Sequence, residues 1–149
     1  MKKPFVTKAQ IEEIVKKYPT PFHIYDEKGI IENAKAVYDA FSWNKGFREY
    51  FAVKANPNPV LLDILRSVGC GFDCSSKTEL MLSSAVGASG EEIMFSSNDT
   101  PAEEFVYADK INAIINLDGF ILCIFWQKFC INCLCKGIIK HKCIILTSR

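Results

Sequence analysis

Apolar positions over the first 118 residues switch repeatedly between a spacing of three or four and short unbroken runs, and the switching predicts alternating helices and strands. Thr7-Lys8-Ala9-Gln10 has the form of a capping box, and Ile11, Ile14, Val15 and Tyr18 then share one helical stripe that ends at Pro19. Between Pro21 and Asp26, Phe22 to Tyr25 reads as a brief strand. Asp26 caps a second helix in which Ile30, Ala34, Val37, Tyr38 and Phe41 fall on one face, and Ser42 to Gly46 ends it.

The next run, Glu49-Tyr50-Phe51-Ala52-Val53-Lys54, is a strand, and Pro57 and Pro59 prevent it from continuing into a sheet interior. Asn58 as cap and Pro59 at the first helical position open a helix with Leu61, Ile64, Leu65 and Val68 as its stripe; Gly69 and Gly71 close it. A strand around Phe72-Asp73-Cys74 leads into Ser76-Lys77-Thr78-Glu79, a further capping box, and a helix to about Val86 and Gly87. Ile93-Met94-Phe95 is a continuous apolar run, as expected of a strand covered on both faces. Thr100-Pro101-Ala102-Glu103 starts another helix, and Ala113 to Asp118 is the fourth strand. Three βα units followed by a strand predict a parallel α/β barrel with right-handed crossovers. The barrel is incomplete, since a (β/α)8 closure takes about 200 residues or more.

Composition divides the chain into residues 1-119 and a tail, 120-149. All seventeen acidic residues and thirteen of the eighteen basic ones precede Gly119, giving 13 − 17 = −4, while the tail has five basic residues and no acid. The near-neutral total is a sum of unlike parts and argues for no nucleic-acid partner. Isoleucine, cysteine, lysine and phenylalanine dominate the tail, Ala, Val, Pro, Asp and Glu are absent from it, and its βα rhythm is lost. This pattern predicts a frameshift or other truncation near Gly119, with four parallel strands left exposing an apolar edge and expressing poorly in soluble form. Cys130, Cys133, Cys135, His141 and Cys143 have zinc-ligand chemistry but no organised pairs, so no metal site is predicted. Phe120 to Cys135 is too short for a membrane span and carries Gln127 and Lys128 midway. No apolar run follows Lys2 and Lys3, so the reading is a cytoplasmic, reduced protein.

Lys54 is the leading chemical candidate. It stands at the carboxyl end of a strand, where α/β proteins gather their chemistry, and an amine there serves as a nucleophile toward an aldehyde if burial and nearby cations lower its pKa from about 10.4. Asp73 ends the neighbouring strand on the same rim; it either acts on Lys54 through charge or bonds local backbone N–H groups. Glu79 is explained by its place in a capping box. Cys70 and Cys74 read as buried small apolar groups, His23 as a strand residue, and Ser96, Ser97 and Asn98 as polar rim positions.

Tyr50-Phe51-Ala52-Val53-Lys54-Ala55-Asn56, Gly69 to Leu80 and Glu92 to Asn98, in this order and spacing, resemble the barrel domain of the pyridoxal-phosphate decarboxylases for diaminopimelate, ornithine and arginine. Thr20 to Asp26 makes the likeness nearest to bacterial diaminopimelate decarboxylases, over about residues 5 to 118. The resemblance implies the N-terminal half of a (β/α)8 pyridoxal-phosphate-binding barrel with a tail outside the family. It implies Lys54 as the amine that carries the cofactor, Asp73 near the cofactor, and an amino-acid substrate that loses its carboxylate. Phe22 to Tyr25 would serve the family's second, all-β domain. The family's glycine-rich phosphate loop, stacking histidine, ring-nitrogen carboxylate and homodimer partner residues have no counterpart here. The expectation is therefore an incomplete diaminopimelate decarboxylase, inactive by itself and unlikely to form the dimer. Ornithine or arginine decarboxylation, a non-catalytic pyridoxal-phosphate carrier and a remnant without function are the alternatives.

Overall fold

A computed structural model describes residues 4–97, 101–117 and 144–145. Four parallel strands are expected from the sequence; the described residues form five, in the order β1-β2-β3-β4-β5 with every neighbouring pair parallel. They are β1 (Tyr50–Ala52), β2 (Gly71–Cys74), β3 (Ile93–Ser96), β4 (Ile114–Leu117) and β5 (Ile144–Ile145). Helices α3 (Pro59–Ser67), α4 (Lys77–Ala85) and α5 (Ala102–Lys110) connect the first four, preceded by α1 (Lys8–Lys17) and α2 (Glu27–Ala40). The sheet order follows the chain order, as consecutive βα units demand. This is the parallel α/β architecture that the sequence predicts.

The extra strand β5 lies within the tail, 120-149. Asn116 pairs with Ile144 and Leu117 with Ile145, so this short isoleucine segment supplies partners to backbone groups that would otherwise line an open edge of β4. The boundary near Gly119 and the cysteine cluster Cys123 to Cys143 lie outside the described residues.

Helix starts follow the side chains chosen for them. Thr7 and Gln10 make a reciprocal capping box at α1, the Gly29 N–H donates to Asp26 Oδ1 at 3.1 Å, and the Val60 N–H donates to Asn58 Oδ1 at 3.0 Å. At α4 the box is modified. Ser76 Oγ accepts the Glu79 N–H at 3.4 Å, but the Glu79 carboxylate reaches one residue further back, accepting the Ser75 N–H at 2.9 Å. Helix α5 begins after Pro101, which occupies the cap position itself; Thr100 lies outside the described residues.

One expectation is corrected. Phe22 to Tyr25 is extended but forms no strand, because no backbone ladder pairs with it among the described residues. The stripe of α1 is not buried: Ile11, Val15 and Tyr18 are all exposed.

The core lies on one face of the sheet. Phe72, Cys74, Ile93, Phe95 and Ile115 are all but inaccessible there, packed with Leu62 from α3, Leu80 from α4, and Phe105 and Ala108 from α5. Phe95 and Phe105 meet edge to face at 5.6 Å, a geometry favoured by the ring quadrupoles. A second cluster joins Ala34 of α2 to Leu61, Leu65 and Cys70. Alternation along the strands puts Ala52, Asp73, Met94, Ser96, Ile114 and Asn116 on the opposite face, where each is half-buried.

Candidate active site

The strand carrying Lys54 is shorter than its sequence implied. After Ala52 the chain turns through a single 3-10 turn, Val53–Ala55, closed by the Asn56 N–H donating to the Val53 carbonyl at 3.2 Å. Pro57 and Pro59 follow at once, so the chain has little choice but to leave the sheet here. Val53 is completely buried and fixes the turn from below, which sets Lys54 at the carboxyl end of β1. Lys54 itself is exposed. The burial that the amine was expected to have is not provided by the described residues, and Lys54 makes no ion pair among them. Its position on the rim agrees with expectation; its enclosure does not.

Asp73 lies one strand away, registered opposite Ala52, two residues before Lys54. Its Oδ1 is buried and accepts no hydrogen bond. That geometry disfavours the reading of Asp73 as a strand-end carboxylate occupied with local N–H groups, and an acceptor left in this state costs on the order of 1–3 kcal/mol unless a donor reaches it. Further along the same face, Asn116 donates from Nδ2 to Ser96 Oγ at 3.3 Å, and Asn116 Oδ1 is again buried and unpartnered. Ser96 was singled out in the sequence, whereas Asn116 was not. The only signal was a polar side chain interrupting the apolar run of β4.

The remaining candidates take structural parts. Glu79 accepts from the Ser75 N–H and lies 3.1 Å and 3.2 Å from the Ser75 and Ser76 hydroxyls, so its carboxylate is spent at the α4 N-terminus. Cys74 is fully buried, its Sγ 3.2 Å from Ser83 Oγ; burial pushes its thiol up to about 12, with the Ser83 contact opposing. Burial likewise raises the Cys70 thiol. His23 is exposed and stacks against Tyr25 at 6.3 Å. Ser97 is buried, and Asn98 lies outside the described residues. No group of three metal-ligating side chains occurs among the described residues, and none of their helices is long and apolar enough to cross a membrane.

A parallel sheet with helices on one face thus carries an amine at the strand ends and buried acceptors without donors on the other face, the frame of an α/β barrel unit. Residues 27–120 match the family model described as pyridoxal-dependent decarboxylase, pyridoxal binding domain. The chain belongs to this family, whose cofactor is pyridoxal phosphate. Protein TabA of Pseudomonas amygdali pv. tabaci is 45% identical over 108 residues, 72% of this chain and 26% of that one. Among solved structures, diaminopimelate decarboxylase from Helicobacter pylori complexed with L-lysine is 31% identical with a TM-score of 0.64, covering 74% of this chain and 28% of that one. A Selenomonas ruminantium lysine decarboxylase in complex with PLP and cadaverine shares the fold, with a TM-score of 0.78 at 20% identity over 99% of this chain and 36% of that one. The chain thus spans about a quarter of the length of the curated relatives it matches.

The described residues fit one end of this cofactor. Lys54 would offer a primary amine to its aldehyde, and Asp73 and Asn116 have buried acceptors that lack donors. They offer no comparable cradle for the phosphate: the N-terminus of α4 on this rim is already filled by Glu79.

Proposed function

We propose that this chain carries the amino-terminal part of the cofactor site of an amino-acid decarboxylase whose substrate is meso-diaminopimelate and whose product is lysine. The observation that carries the reading is the placement of Lys54 just past the end of β1, two residues after the register partner of Asp73 on β2, whose Oδ1 is buried without a donor. The choice of diaminopimelate is supported by the likeness through Thr20 to Asp26 and by the recurrence of diaminopimelate decarboxylases among the relatives.

In this reading the Lys54 amine would hold the cofactor through its aldehyde. Pyridoxal phosphate, when bound, supplies a sink for the electron pair left as the α-carboxylate departs. Asp73 would accept a hydrogen bond from the donor that its Oδ1 lacks. Glu79 does its work one step removed, by pinning Ser75 at the rim. The described residues form one wall of such a site. Preorganised charge on all sides supplies much of the rate in enzymes of every class, so the 149-residue chain by itself is proposed to bind cofactor without turnover.

Titrating the chain with pyridoxal phosphate and following the visible absorbance of the cofactor tests the assignment. Saturable binding that Lys54→Ala abolishes and Lys45→Ala leaves intact is the expected result. Binding that survives Lys54→Ala would overturn the role given to this amine. Carbon dioxide release from diaminopimelate by the chain alone would contradict the absence of turnover.

A further inference from the structure

Among the described residues Phe22 to Tyr25 joins no sheet, yet it is tied to the Lys54 turn. Phe22 and Ile24 are half-buried while His23 and Tyr25 turn outward, and the Tyr25 hydroxyl accepts a hydrogen bond from Asn56 Nδ2 at 3.1 Å. Thirty-one residues separate the two. Asn56 is the residue on which the Val53–Ala55 turn closes, through its N–H to the Val53 carbonyl. Lys54 is therefore held between two anchors: Val53, buried in the core behind it, and Asn56, gripped by Tyr25 ahead of it. The first anchor belongs to the fold. The second is a solvent-exposed bond between Tyr25 and the half-buried Asn56, a place where a hydrogen bond adds little to global stability. Its effect is local, on the one turn that carries the amine.

From this geometry we infer that Tyr25 is a positioning residue for Lys54, acting through Asn56 to hold the 3-10 turn in the shape that presents the amine to an aldehyde. The inference rests on the assignment of Lys54 as the cofactor-holding amine, and it adds that the amino-terminal segment sets how well that amine is presented. A turn free to unwind spends part of its time with the amine off target, and the apparent affinity falls by the fraction lost.

Two measurements on the 149-residue chain test this, one with cofactor and one without. Tyr25→Phe removes a single oxygen from a side chain that is 44% exposed, so the fold is retained. The variant is expected to weaken pyridoxal phosphate capture at Lys54 about threefold to tenfold and to speed exchange of the Asn56 amide proton by a similar factor. Asn56→Ala is expected to weaken capture to the same degree, and the double variant no further, as coupled residues require. Tyr25→Phe with unchanged capture, unchanged exchange at Asn56, or losses that simply add in the double variant would overturn the inference. Failure of the unsubstituted chain to capture cofactor at Lys54 would instead sink the functional assignment, and exchange at Asn56 would still decide whether Tyr25 controls the turn.

Discussion

The Cys74 thiol shows how one buried group ties this fold to pH. Its side chain is wholly inaccessible, and burial lifts it from 9.0 to about 12. Between those values the unfolded chain gives up this proton while the folded chain keeps it, so ionisation draws the equilibrium toward the unfolded state. The contribution is fully present below pH 9 and is lost as the pH rises toward 12. Urea midpoints on either side of pH 9 should fall with rising pH, and Cys74→Ala should flatten that fall; an equal slope in the variant would contradict the account. Cys70 and Cys74 were legible from residue type alone, since small apolar thiols are usually interior. Asp73 was legible only as a position. That its Oδ1 lacks a donor depends on what surrounds the end of β2, and a linear sequence does not contain those neighbours.

The start signals of the elements could be read most directly, because capping is a contact between residues two or three apart. Thr7, Asp26, Asn58 and Ser76 all cap the helices predicted for them. The strands were legible as apolar runs with the right order, and their ends were not. The predicted strand through Lys54 stops at Ala52, since the 3-10 closure by Asn56 was not apparent in residue types. Gly71 marks the opposite end of such a decision. A Cβ there would sit 2.7 Å from Tyr50 ring carbons and 2.8 Å from the Glu92 carbonyl oxygen, where β1 and the segment before β3 press on β2. Gly71→Ala should cost about 1–3 kcal/mol, read from denaturant unfolding; a neutral substitution would mean that β1 shifts freely against β2.

Across the whole molecule, the alternation of strand and helix was enough to give a parallel sheet in chain order, and the comparisons place it in the pyridoxal-dependent decarboxylases. What the pattern missed were pairings between distant parts of the chain. It did not foresee β5 beside β4, nor that the segment from Phe22 to Tyr25 is held by Asn56 rather than by a sheet. The stripe on α1 was read from periodicity, which reports amphipathicity but not what covers it; in the structure Ile11, Val15 and Tyr18 stay exposed. The functional account converges on the single amine at the carboxyl end of β1. Incubating the chain with pyridoxal phosphate, reducing with borohydride and mapping the modified peptides by mass spectrometry tests it most directly. The account predicts the cofactor mass on the peptide containing Lys54 as the dominant product, whereas label spread evenly over exposed lysines, or concentrated on another one, would contradict it.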